Sequence, residues 1–73
     1  MAANTTFVWT LLAPRARLEH VIIFAANETE ARARAIQLSE TDDDKHRASR
    51  WLSFLKGGAT PDAFPEGKGF FLE

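Results

Sequence analysis

The side chains able to do chemistry are few, and their spacing argues against most of the chemistry they could do. The 73-residue sequence has no cysteine, which removes thiol catalysis, disulfides and cysteine-ligated zinc together. His20 and His46 lie far apart, and neither has a second ligand at a metal-binding interval, so both read as surface or strand-end histidines. The run Asp42, Asp43, Asp44 suggests a hard cation. A calcium loop, however, spreads its ligands over about a dozen residues around a central glycine, and no such glycine follows here. Ser39, Ser49 and Ser53 have no G-x-S-x-G elbow and no histidine at a recognisable spacing. Most carboxylates have a basic residue four positions on or stand at a helix start, which leaves general acid and base roles unsupported. "GGATPD" has no lysine followed by serine or threonine, so it reads as a linker and not a phosphate loop. The expectation is a protein that is not an enzyme and uses no cofactor or metal.

The elements that would position these groups are legible from periodicity. "TTFVWTLL", Thr5 to Leu12, alternates with Phe7, Trp9 and Leu11 on one face, which predicts a strand. "EHVIIFAA", Glu19 to Ala26, is apolar on both faces and predicts a central strand covered on each side. Between them Ala13 to Leu18 reads as a basic loop broken by Pro14, so the two strands form a hairpin. The period then changes. Asn27 is placed to cap a helix over Glu28 to Ser39, with Glu30 at the capping-box distance and a packing stripe of Ala31, Ala35 and Leu38, Ile36 at its margin.

A second helix follows, with acidic residues before basic ones, Thr41 as its cap, and Ala48, Trp51, Leu52 and Leu55 at i, i+3, i+4 and i+7. That pattern outweighs a strand over Trp51 to Leu55, and Gly57 with Gly58 supplies the stop. "ATPDAFPEGKG" reads as turn material, after which "GFFLE" is placed to form a short third strand. The predicted class is therefore α+β in one domain: an antiparallel hairpin with two packed helices, a turn-rich tail over residues 57–73, and a third strand from that tail as an option.

Composition fits that size. Hydrophobic residues make up 45% and charged residues 26% of the chain, values of a globular domain and not a disordered one. The start reads as lacking a secretory leader, and the longest apolar run, Val21 to Ala26, is far below the roughly 20 residues of a membrane helix. The expected location is cytoplasmic. A net charge of −1 provides no global basic field for nucleic acid. Phe7 and Trp9 with Arg15 and Arg17 nearby suggest a stacking platform for single-stranded nucleic acid, but "TFVWTL" lacks the glycines and aromatics of the RNA-recognition strand motif.

Two features point to a macromolecular partner. Arg15 and Arg17 stand at a turn tip, where a guanidinium suits forked hydrogen bonding to carboxylates or phosphates and the plain alternative is a solvated loop charge. Phe70 and Phe71 point to opposite faces of any extended segment, so they either complete the core or insert into another protein. Arg15, Arg17, Trp9, Phe70 and Phe71 are the candidate contact residues.

With "FVWTLLAPRARLEHVIIF" at its front, in a short, cysteine-free chain rich in alanine and arginine, the sequence resembles the small phage-encoded regulators of host RNA polymerase of the Xanthomonas phage type. That resemblance implies binding to the β and β′ subunits of bacterial RNA polymerase, displacement of the sigma factor, inhibition of promoters and suppressed termination. Competing expectations are an inhibitor of another host protein, in defence or cell division, and a small nucleic-acid-binding domain.

Overall fold

The computed structural model describes residues 4–65. Five elements follow one another: β1 (Thr5–Ala13), β2 (Arg17–Ala25), α1 (Glu28–Glu40), α2 (Lys45–Lys56) and β3 (Asp62–Pro65). The strands form one antiparallel sheet in the order β2-β1-β3, which makes the fold α+β.

The β1–β2 register runs from Thr5 opposite Ala25 to Ala13 opposite Arg17. Side chains alternate along a strand, so Phe7, Trp9, Leu11 and Ala13 share a face with Val21, Ile23 and Ala25. Both helices cover that face. The core joins Phe7, Trp9, Ile23 and Ala25 of the sheet to Ala31 and Ala35 of α1 and to Trp51 and Leu55 of α2. Trp51 also meets Phe54 edge-to-face, with ring centroids 5.5 Å apart.

The hairpin loop is shorter than the sequence suggests, a single turn of Pro14–Ala16. Arg15 and Ala16 both take left-handed backbone angles, with φ of 67° and 58°, a region in which residues other than glycine are uncommon. α1 starts on Asn27, whose side chain accepts from the Glu30 amide at 2.8 Å. Glu30 in turn accepts from the Ala26 amide at 3.0 Å, one residue before the cap. The helix assigned to Trp51–Leu55 is present, and Gly58, with φ of 97°, follows its end as a left-handed stop.

Four expectations change. First, β2 is an edge strand and β1 the central one, and β2 is not covered on both sides: Ile22 and Phe24 are exposed because both helices lie on the opposite face. Second, the third position of the α1 stripe belongs to Ser39, while Leu38 is exposed. Residues 31, 35 and 39 advance by about 40° per step around the helix, so the buried stripe drifts toward Ser39 and away from Leu38, and Ser39 resolves its burial by donating to the Ala35 carbonyl at 3.0 Å. Third, Asp44 caps α2, accepting from the His46 and Arg47 amides, and Thr41 closes α1. Fourth, the third strand is Asp62–Pro65, within the stretch read as turn material, and it pairs with Thr5–Val8. The tail strand at Phe70 and Phe71 lies outside the described residues.

Ala31 and Ala35 have no exposed surface, so the helix sits against the sheet at the spacing alanine permits. Ala35→Leu is expected to destabilise the domain by about 1 to 3 kcal/mol through overpacking. Leu38→Gln should change stability by less than about 0.5 kcal/mol. Urea titration of both variants checks this, and the opposite ranking would put Leu38 in the stripe.

Candidate binding surface

The even-numbered residues of the strands form the face that no helix covers. By register Thr6, Val8, Thr10 and Leu12 of β1 stand beside Phe24, Ile22, His20 and Leu18 of β2, and Phe64 and Asp62 of β3 flank Thr6 and Val8. Val8 is buried at the centre, between its cross-strand neighbours. Around it Leu12 is 66% exposed, Leu18 61%, Phe24 61% and Ile22 41%. Scattered apolar surface residues are ordinary, but four large ones that share one sheet face make it a candidate interaction surface. The face holds little charge: Thr10 Oγ1 and His20 Nδ1 lie 3.0 Å apart, and Asp62 is its one carboxylate among the described residues.

The second feature is built on the helix side of the hairpin, around Glu19. Its side chain is only 14% exposed. Trp51 Nε1 donates to Glu19 Oε1 at 3.0 Å, Arg50 Nη2 reaches both oxygens at 3.3 and 3.1 Å, and Arg17 Nη2 reaches Oε2 at 3.3 Å. One carboxylate thus ties β2 to α2 by charge and by an indole. Beside it, Pro14, Arg15, Arg17 and Arg50 line a cavity of about 380 Å³. A neighbouring cavity of about 350 Å³ lies on the other side of Glu19, against His20, Leu38, Asp42 and Trp51.

Asp42 and Arg47 form the best-made ion pair among the described residues. Nε donates to Oδ2 at 2.6 Å and Nη2 to Oδ1 at 2.7 Å, a two-nitrogen fork. The Arg47 hydrogen bonds, with the Asp44 amide, lower the Asp42 carboxyl to about 2, and Asp42 in turn raises Arg47. The Asp44 carboxyl is also lowered, first by the Arg47 amide it caps. The aspartate run therefore serves to stop one helix and start the next. Among the described residues no group of three His, Asp or Glu is placed to hold a metal ion, and no helix is long and apolar enough to cross a membrane.

The sequence-derived contact residues divide. Arg15 and Arg17 stand at the exposed hairpin tip as expected. Trp9 does not face a partner: it is wholly buried, its Nε1 donates to the Ala59 carbonyl at 3.1 Å, and the Arg32 guanidinium covers its ring at 5.7 Å from the centroid. Phe7 is buried with it, which removes the stacking platform. Phe70 and Phe71 lie outside the described residues. Leu12, Leu18, Phe24, Glu19 and Arg50 were not singled out by sequence. The signal for the first three was present, since they occupy one parity of the two strands. No family model matches the chain, and neither a curated protein nor a solved structure matches it.

Glu19→Gln keeps an acceptor for Trp51 but strips two arginines of their counter-charge, and is expected to lower stability by about 1 to 3 kcal/mol. Arg17→Gln, on a side chain 70% exposed, should cost less than about 1 kcal/mol; equal losses in thermal melts would refute the central role of Glu19. The Asp42 pair gives a pH test. Its folded carboxyl is lowered from 3.8 to about 2, so its contribution is complete above the unfolded value and is lost as pH falls through about 2. The stability gap between the parent and Asp42→Asn should therefore be constant above pH 5 and narrow on acidification. A gap that widens toward pH 2 would contradict the pairing.

Proposed function

We infer that this chain is a non-catalytic protein-binding domain that docks through the open face of its sheet, and that its partner is bacterial RNA polymerase. The observation that supports docking is the exposure of Leu12, Leu18, Ile22 and Phe24 on one face while the helices cover the other. Burying a side chain of this size is worth roughly 1.5 to 3 kcal/mol, and a few such anchors carry most of the energy of a protein interface. The choice of polymerase follows from the resemblance of the sequence to phage-encoded transcription regulators. On that reading the domain occupies a surface formed by the β and β′ subunits, competes with the sigma factor for it, blocks initiation and suppresses termination. Such action requires only a stable scaffold with apolar anchors.

The test uses purified polymerase core enzyme and the full chain. Leu18→Ser and Phe24→Ser alter exposed positions, so circular dichroism should show both folded. Each is expected to weaken binding to the core enzyme by about tenfold or more. Absence of binding by the parent chain removes the polymerase reading. Binding unaffected by either substitution removes the open face as the contact. A concentration-dependent dimer in sedimentation, abolished by the same substitutions, assigns the face to a second copy of the chain instead.

A further inference from the structure

We propose that the cavity at the hairpin end, lined by Pro14, Arg15, Arg17 and Arg50, is a binding site for a phosphate monoester. It lies on the helix side of the hairpin, away from the open apolar face, and does not rest on the protein-binding reading. Three independent observations carry it.

The first is how the arginines use their donors. A guanidinium offers five N–H groups in a rigid fork. Arg47 commits two nitrogens to Asp42, and Arg32 commits both terminal nitrogens, to the Leu55 carbonyl at 2.7 Å and to Glu28 at 2.9 Å. Around the cavity the pattern differs. Arg17 and Arg50 each reach Glu19 through Nη2 alone, and no hydrogen bond or ion pair among the described residues involves the Arg15 side chain. Arg50 Nε is buried with no hydrogen-bond partner, a desolvated donor on a cation, which is costly to leave unmatched. It is shielded where it stands. Arg50 binds Glu19 through Nη2 alone, so its other two nitrogens are uncommitted beside the cavity.

The second is charge. Three guanidinium groups face one carboxylate, Glu19, so two positive charges are left over at this point of a chain whose net charge is −1. A phosphate monoester carries about −1.5 to −2 at pH 7 and presents three acceptor oxygens. A carboxylate would leave half of the excess in place, and a diester carries a single charge per phosphate. The cavity, at about 380 Å³, falls in the range of small-ligand sites and has room for the organic part of an ester.

The third is the backbone. Arg15 and Ala16 hold left-handed angles in succession at positions where glycine or asparagine is the ordinary choice. Such conformations persist where the surrounding structure enforces them, and they cluster at ligand clamps. Here the turn that starts at Pro14 places Arg15 on the same cavity as Arg17 and Arg50.

The experiment is a titration of the ¹⁵N-labelled full chain at low salt and pH 8, with inorganic phosphate, sulfate or acetate at matched ionic strength. NMR follows the amides of residues 15–18 and the arginine Nε–H signals. Phosphate and sulfate are expected to give saturable shifts centred on Arg15, Arg17 and Arg50, and acetate only small unsaturable ones. Arg15→Gln, which removes no contact within the fold, should weaken phosphate about tenfold with no change in melting temperature. Arg50→Gln should also weaken phosphate about tenfold, while its melt reports the separate loss of the Glu19 contact.

Phosphate shifts no larger than those of acetate would overturn the proposal, as would Arg15→Gln and Arg17→Gln binding phosphate as tightly as the parent. A phosphoserine peptide and a nucleoside monophosphate are each expected to displace phosphate, and the one that does so at the lower concentration identifies the source of the monoester. Tighter binding, per phosphate, of an oligonucleotide with hydroxyl ends would overturn the monoester assignment in favour of diesters.

Discussion

The fold depends on giving two buried indoles their hydrogen-bond acceptors. A tryptophan in a core brings a large apolar area and one N–H that must be matched. Trp9 finds its acceptor in the Ala59 carbonyl, in the segment between α2 and β3, and Trp51 finds its own in Glu19 on β2. Each bond joins parts of the chain far apart in sequence. Together they set where α2 lies on the sheet and how the chain returns to form β3. Arg32 completes the arrangement: it lies over the Trp9 ring and donates to the Leu55 carbonyl at the end of α2, adding a cationic donor to a carbonyl that also accepts from the Gly58 amide at 3.3 Å.

That constraint accounts for the two surfaces. With both helices fixed on the face that holds Trp9, the opposite parity of β1 and β2 is covered by neither of them, and Leu12, Leu18, Ile22 and Phe24 are exposed. The second surface follows from the acceptor given to Trp51. Glu19 had to be drawn toward the core, and the arginines that neutralise it, Arg17 and Arg50, are gathered beside Arg15 at the turn. A carboxylate needed for packing thus concentrates guanidinium groups at one end of the molecule.

How far the sequence reveals this depends on the range of the interaction. Local signals were reliable: the alternation of Phe7, Trp9 and Leu11, the Asn27 cap, and the spacing of Trp51 and Leu55 all describe the elements in which they stand. What was not legible depends on partners distant in sequence. "VIIF" is consistent with a strand covered on both sides, and only the placement of both helices on one face exposes Ile22 and Phe24. "DAFP" contains two turn-forming residues, and it becomes a strand because β1 offers it an edge. Leu38 and Ser39 are adjacent, so a small rotation of α1 decides which is buried, and packing chose the serine, with its hydroxyl satisfied by the turn before it. Around Glu19, Arg15 and Arg17 are visible in the sequence as loop charges, whereas Arg50 comes to them through Glu19.

The order in which the strands pair has a further consequence for how the chain reaches this state. The β1–β2 hairpin closes across a three-residue turn, while the Trp9 bond to Ala59 spans 50 positions and the β1–β3 pairing lies in the same long-range class. Loop closure is entropically dearer for the longer connection and is rewarded only when the final contacts form. Pairing of β3 with β1 therefore carries the larger closure cost. Where β3 is not paired, β1 presents an open flank at Thr5–Val8, a strand edge that another chain could use.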